Sequence, residues 1–239
     1  EVNDSAQIIN IKGDLSQLDL QFKSEGSLAL TGNANINIID NNFPYNLNLE
    51  ATKLPVYNQV SQHLHPSVLS LASQGDINKQ TLSLNSVLNG LGYKNAKTSL
   101  KLTHNKLIAD KVTIEEFALN DAKNNLSIKG HFAFSDKPSW NLKIKSTGFS
   151  FPQFKHLDDE YDNIKEWMSG RIKGNLDTTG IYNKENSSIT LTNTHLTGEV
   201  NKMPFELSGE INLSENLQLK PSHLSLSLFD SHINFSGYS

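Results

Sequence analysis

The sequence predicts an all-β chain, a meander of short antiparallel strands that keeps one face apolar and the other wet. Three observations predict it. Apolar and polar residues alternate strictly in many short runs, polar turn clusters separate those runs, and helical spacing is confined to two stretches.

The first runs are Leu28-Ala29-Leu30, Ile36-Asn37-Ile38 and Leu47-Asn48-Leu49, followed by Leu82-Ser83-Leu84 and Leu100-Lys101-Leu102. Leu126-Ser127-Ile128, Phe132-Ala133-Phe134 and Leu142-Lys143-Ile144 continue the pattern. It closes with Ile189-Thr190-Leu191, Ile211-Asn212-Leu213, Leu224-Ser225-Leu226-Ser227-Leu228 and Ile233-Asn234-Phe235. Successive side chains of a strand point to opposite faces, so each run sends its Leu, Ile or Phe to one side. Turn chemistry lies between them in Asp40-Asn41-Asn42, Ser73-Gln74-Gly75-Asp76, Thr103-His104-Asn105, Asp121-Ala122-Lys123-Asn124, Ser135-Asp136-Lys137-Pro138 and Asn183-Lys184-Glu185-Asn186. Connections this short join antiparallel neighbours.

Helical spacing is found in residues 153–169, where Phe154, Leu157, Tyr161, Ile164, Trp167 and Met168 recur at steps of three and four before Gly170. Val56, Val60 and Leu64, between Pro55 and Pro66, suggest a second short helix. Two short helices cannot cover the apolar face of roughly a dozen strands. That face must fold over itself, pack on a second sheet or hold a ligand.

With 239 residues the chain suits one large all-β unit or two domains. A net charge of −4, with Arg171 the only arginine, argues against a nucleic-acid partner. The absence of cysteine removes disulfides, thiolate metal sites and thiol nucleophiles, and fits a periplasmic protein. No run of about 18 apolar residues exists, and Glu1 to Gln7 lacks the features of a signal peptide. Any inner-membrane anchor is therefore expected in a segment absent from this stretch.

An internal repeat organises the runs. Leu28-Ala29-Leu30-Thr31-Gly32 returns as Leu126-Ser127-Ile128-Lys129-Gly130 and as Ile233-Asn234-Phe235-Ser236-Gly237. Aromatic-led strands at Tyr45 and Trp140 follow the first two copies, and each is followed by one of the helical stretches. The expected organisation is one continuous β unit over 1–239, with repeats at roughly 28–125 and 126–233 and no Pro/Gly/Ser linker between them.

The segment Asn124 to Gly130, its echo Asp230 to Gly237, and the stretch Met168-Ser169-Gly170-Arg171-Ile172-Lys173-Gly174-Asn175-Leu176-Asp177-Thr178-Thr179-Gly180 resemble the TamB and AsmA-like proteins of Gram-negative envelopes. In that family a strand ending in Gly, an aromatic-led strand, a proline-containing loop and a Gly-Arg-apolar-x-Gly-x-Leu strand succeed one another. The resemblance implies an elongated, U-shaped, taco-like sheet with an apolar interior, anchored to the inner membrane and crossing the periplasm. It also implies transfer of phospholipid between inner and outer membranes and a contribution to outer-membrane protein assembly. The alternating residues of every run above would line the groove. The partners implied are phospholipid acyl chains and an outer-membrane barrel protein or small outer-membrane lipoprotein, with no nucleic acid, no cofactor and no catalytic residue.

Other readings stay open at this stage. The runs also suit two tandem β-sandwiches of about 100 residues serving a structural or adhesive role. A carbohydrate-active solenoid is weaker, because its rungs of about 20 to 30 residues are missing. His63-x-His65 is the closest histidine pair, and a structural role outweighs a metal site there. Asp158-Asp159-Glu160 with Asp162 reads as a solvated helix face before it reads as a glycosidase pair. Trp140 and Trp167 suit packing, and Arg171 reads as a surface arginine before a headgroup ligand. There is no nucleophile elbow or phosphate loop, so catalysis is not expected.

Overall fold

A computed structural model describes residues 6–26, 29–53, 65–90, 93–107, 110–151, 170–183, 187–200, 202–213, 218, 220 and 222–237. The two stretches with helical spacing, and the His63-x-His65 pair as a pair, lie outside them. The described residues form β1 (Ala6–Asp14), β2 (Gln17–Glu25), β3 (Ala29–Ile36), β4 (Tyr45–Lys53), β5 (His65–Gly75), β6 (Lys79–Gly90), β7 (Tyr93–Asn105) and β8 (Lys111–Asn120). They continue with β9 (Asn125–Ala133), β10 (Ser139–Phe151), β11 (Gly170–Ile181), β12 (Ser188–Val200), β13 (Met203–Leu213), β14 (Ser222–Leu228) and β15 (Ser231–Gly237).

The sheet order is the sequence order, β1 to β15, in one antiparallel meander. Chain contacts divide it into two compact units, Glu1–Glu116 and Phe117–Ser239, with the division inside β8. The three copies of the sequence repeat fall on β3, β9 and β15, and the two aromatic starts open β4 and β10. A sandwich would pack a second sheet against the first. Within each unit the main packing is instead between strands adjacent in sequence, so the tandem-sandwich reading does not hold.

Hairpin ends repeat one device. Oδ1 of Asp14 accepts the backbone N–H of Ser16 and Gln17, that of Asp76 accepts from Asn78 and Lys79, and that of Asp121 accepts from Lys123 and Asn124. Each side chain closes an Asx-type turn that satisfies backbone donors the ladder leaves over. The Asp14 carboxyl sits below its ordinary range, chiefly through the Ser16 hydroxyl, and Asp76 does so through the N–H groups of Lys79 and Asn78. At Asp121 burial works to raise the carboxyl, but the Asn124 amide, the two backbone donors and the Lys123 charge hold it low. The Thr103-His104-Asn105 cluster, expected as a turn, forms the end of β7.

In unit 2 a line of irregularities crosses the sheet. Register shifts lie between Ser146 and Phe149 in β10, Asn175 and Asp177 in β11, and Leu191 and Thr194 in β12. Gly174, paired with Ser146 and Leu196, lies on this line at φ 131°. A Cβ there would run into the carbonyl of His195, so only glycine fits. Bulges and glycine kinks bend the strands that carry them, and this line gathers such irregularities from β10 to β12.

Candidate functional site

The printed registers assign side chains to faces. In unit 1 one row runs Ile9, Phe22, Gly32, Leu49, Leu71, Leu84, Leu100, and the next runs Ile11, Leu20, Ala34, Leu47, Ser73, Leu82, Leu102. Leu18, Ile36 and Tyr45 flank one side, with Leu30, Ala51 and Leu69 on the other. Directly opposed residues share a face, so these rows form one apolar surface across β1 to β7.

Unit 2 builds the same surface with different residues. Phe132, Trp140, Gly180, Ile189 and Leu213 make one row; Gly130, Leu142, Thr178, Leu191 and Ile211 make the next. Ile144 opposes Ile128 on one side and Leu176 on the other, and further on Leu226 opposes Leu207 and Ile233. Leu126 opposes Ser146, while Leu224 opposes Phe235 and Phe205 opposes Leu228.

No described position registered on either surface carries a Lys, Arg, Asp or Glu side chain. Lys12, Asp19, Lys23, Glu50 and Lys101 of unit 1 all take the opposite face, as do Lys129, Lys143, Arg171, Asp177, Glu199 and Glu206 of unit 2. A face without charge is costly to leave wet, since apolar surface is disfavoured in water by about 25 cal/mol per Å². Nothing among the described residues covers it well. Among the described residues no large side chain is fully buried, and the buried apolar residues are Ala51, Ala96 and Leu119.

Most of the lining positions read from the sequence fall on these surfaces. Leu28 lies outside the described residues. Ile38 and Phe134 lie beyond the ends of β3 and β9 and are 40% and 57% exposed, although Phe134 stacks on Phe132 with ring centroids 6.5 Å apart. The structure adds Ile9, Ile11, Leu18, Leu20 and Phe22 from β1 and β2, Leu69 and Leu71 from β5, and Ile172, Leu176, Leu196, Phe205 and Leu207 from β11 to β13.

Trp140 spans the surface rather than standing on it. Its indole covers Gly180 in the next strand, where a Cβ would collide with the ring, and Nε1–H donates to Thr178 Oγ1 at 3.2 Å. Arg171 lies on the polar face and donates from Nη2 to the Lys123 carbonyl at 3.0 Å, beside an Asn124 whose Oδ1 accepts the Ser150 N–H. It ties β11 to the β8–β9 turn, which is the surface reading of this residue. His104 pairs with Asp110 at 2.6 Å, and no three metal-ligating residues gather among the described residues.

The hollows of unit 1 lie on its polar face. A depression of about 270 Å³ is lined by Asn10, Lys12, Asp19, Gln21, Asn33 and Asn35, and one of about 420 Å³ lies beyond Asn46 and Asn48, which line both. Strand twist makes an open sheet saddle-shaped, concave along one diagonal on each face, so hollows here do not prevent concavity on the apolar side.

No curated protein and no solved structure matches the chain. The family model described as TamB, N-terminal domain, matches residues 1–239. A charge-free sheet face carried by an unbroken meander, together with that match over the whole length, places the chain in the TamB family of bacterial envelope proteins, a transport and structural family rather than one of enzymes.

Proposed function

We propose that the charge-free faces line a periplasmic trough that shields phospholipid acyl chains as they pass between inner and outer membranes. The single observation that supports it most is the sorting of every described charge on the registered strands to the other face, with no second layer over the apolar one among the described residues. An acyl chain of roughly 16 methylenes gains about 13 kcal/mol on leaving water, at about 0.8 kcal/mol each. Relative to a bilayer the net is near zero. A long uniform lining therefore lets a lipid slide without a deep trap, as a conduit requires.

The inner-membrane anchor, an outer-membrane barrel or lipoprotein partner, and a contribution to outer-membrane protein assembly belong to the same proposal. They rest on family membership. Photo-crosslinking in the cell tests the lining directly. A photoreactive residue at Leu142 or Ile144 should capture phospholipid, and one at Lys143 or Lys145, on the opposite face, should not. Equal capture from both faces, or from neither, would sink the reading.

A further inference from the structure

The two aromatic-led strands repeat more than a ring. In unit 1 Tyr45 of β4 stands opposite Gly75 of β5, and its hydroxyl hydrogen-bonds Ser73 Oγ at 3.0 Å. In unit 2 Trp140 of β10 stands opposite Gly180 of β11, and its Nε1–H donates to Thr178 Oγ1 at 3.2 Å. Each aromatic side chain therefore reaches a hydroxyl two residues before the glycine that faces it. Ser73 lies between Leu47 and Leu82, and Thr178 between Leu142 and Leu191, so both hydroxyls stand on the charge-free surface of their own unit. Both residues are half-buried.

Counting hydrogens shows what these pairs leave over. A hydroxyl donates once and accepts twice, whereas an indole only donates. Thr178 accepts from Trp140, so its own hydrogen is unused. Tyr45 and Ser73 carry two hydroxyl hydrogens for the one bond between them, so one is unused there as well. Among the described residues none of these side chains makes a further hydrogen bond. No carboxylate is registered on either surface to take the spare donor.

We propose that Ser73 with Tyr45, and Thr178 with Trp140, each offer one O–H donor to the ester carbonyl of an acyl chain lying on the surface. This rests on the acyl-chain reading and adds to it the one polar group of the acyl linkage that the lining recognises. An ester carbonyl accepts and cannot donate, which is what a lone donor fits. Drawn over an apolar lining with no donor, it would give up its bonds to water unreplaced. The ring holds the hydroxyl before the lipid arrives, so little ordering is left to binding. A hydroxyl supplies this without a charge that would trap a headgroup.

Setting an ester against an ether tests it. The purified chain, with a photoreactive residue at Leu142, which faces Thr178, or at Leu47, which faces Ser73, is mixed with vesicles of diacyl phosphatidylglycerol and its dialkyl ether counterpart in equal amounts. Mass spectrometry of the adducts should give an ester preference of about two- to tenfold, as one hydrogen bond would. Thr178→Val in unit 2, and Ser73→Ala with Tyr45→Phe in unit 1, should remove the preference and leave ether capture unchanged. Thr178→Ser keeps the donor and should keep the preference. Equal capture of ester and ether by the natural chain, or a preference that survives these removals, overturns the inference and leaves the acyl-chain reading standing. Capture of neither lipid overturns both.

Discussion

Leu84→Ala measures whether the apolar face has a roof. Leu84 sits in β6 between Leu71 and Leu100 and is partly exposed. Truncation removes three carbon groups worth about 0.8 kcal/mol each when fully withdrawn from water, and scaling for partial cover leaves about 1–2 kcal/mol. In a closed core the same change adds a cavity and costs about 2–5 kcal/mol. On an open face neighbours and water fill the space, so the cavity contribution vanishes. Urea unfolding of the purified chain, followed by circular dichroism and tryptophan fluorescence, should show a loss near 1–2 kcal/mol. A loss of about 4 kcal/mol would mean that a second layer covers Leu84, and the single-layer argument would fail.

Acid sensitivity should follow the hairpin aspartates. The folded-state carboxyls of Asp14, Asp76 and Asp121 lie below their unfolded range. Their stabilisation is thus present above the unfolded value of about 3.9 and is lost as pH falls through the folded values. Replacing all three with Asn keeps the turn acceptor and should flatten the urea midpoint against pH in that window. Gly180→Val should displace the Trp140 indole, lower stability by about 1–3 kcal/mol and red-shift tryptophan emission. Arg171→Ala leaves the Lys123 carbonyl without its guanidinium donor. The expected cost is about 0.5–1.5 kcal/mol, with faster proteolysis at the 121–124 turn.

The alternating runs made both the strands and the residues that share their apolar face legible, because a period of two maps directly onto a face. Leu82, Leu84, Leu100 and Leu102 need no more than that. Elsewhere the period is broken by geometry that sequence does not print. The bulge at 192–194 places odd-numbered Leu191 and even-numbered Leu196 on one surface, so parity alone could not join β11, β12 and β13. Gly174 and Gly180 occupy apolar-face positions without an apolar side chain, one as a kink and one beneath an indole, which hid the surface across β11. In β1 the adjacent pair Ile8-Ile9 obscures the alternation, whereas Leu18, Leu20 and Phe22 in β2 carry a signal that was there to be read.

Pairing every strand with its predecessor and its successor has a kinetic consequence. Among the described strands, each pairs with one adjacent in sequence, so loop-closure entropy stays small at most steps. A chain delivered one end first finds the docking edge for each hairpin already formed. Insertion or loss of a hairpin changes the length of the ribbon and leaves the remaining pairings as they were.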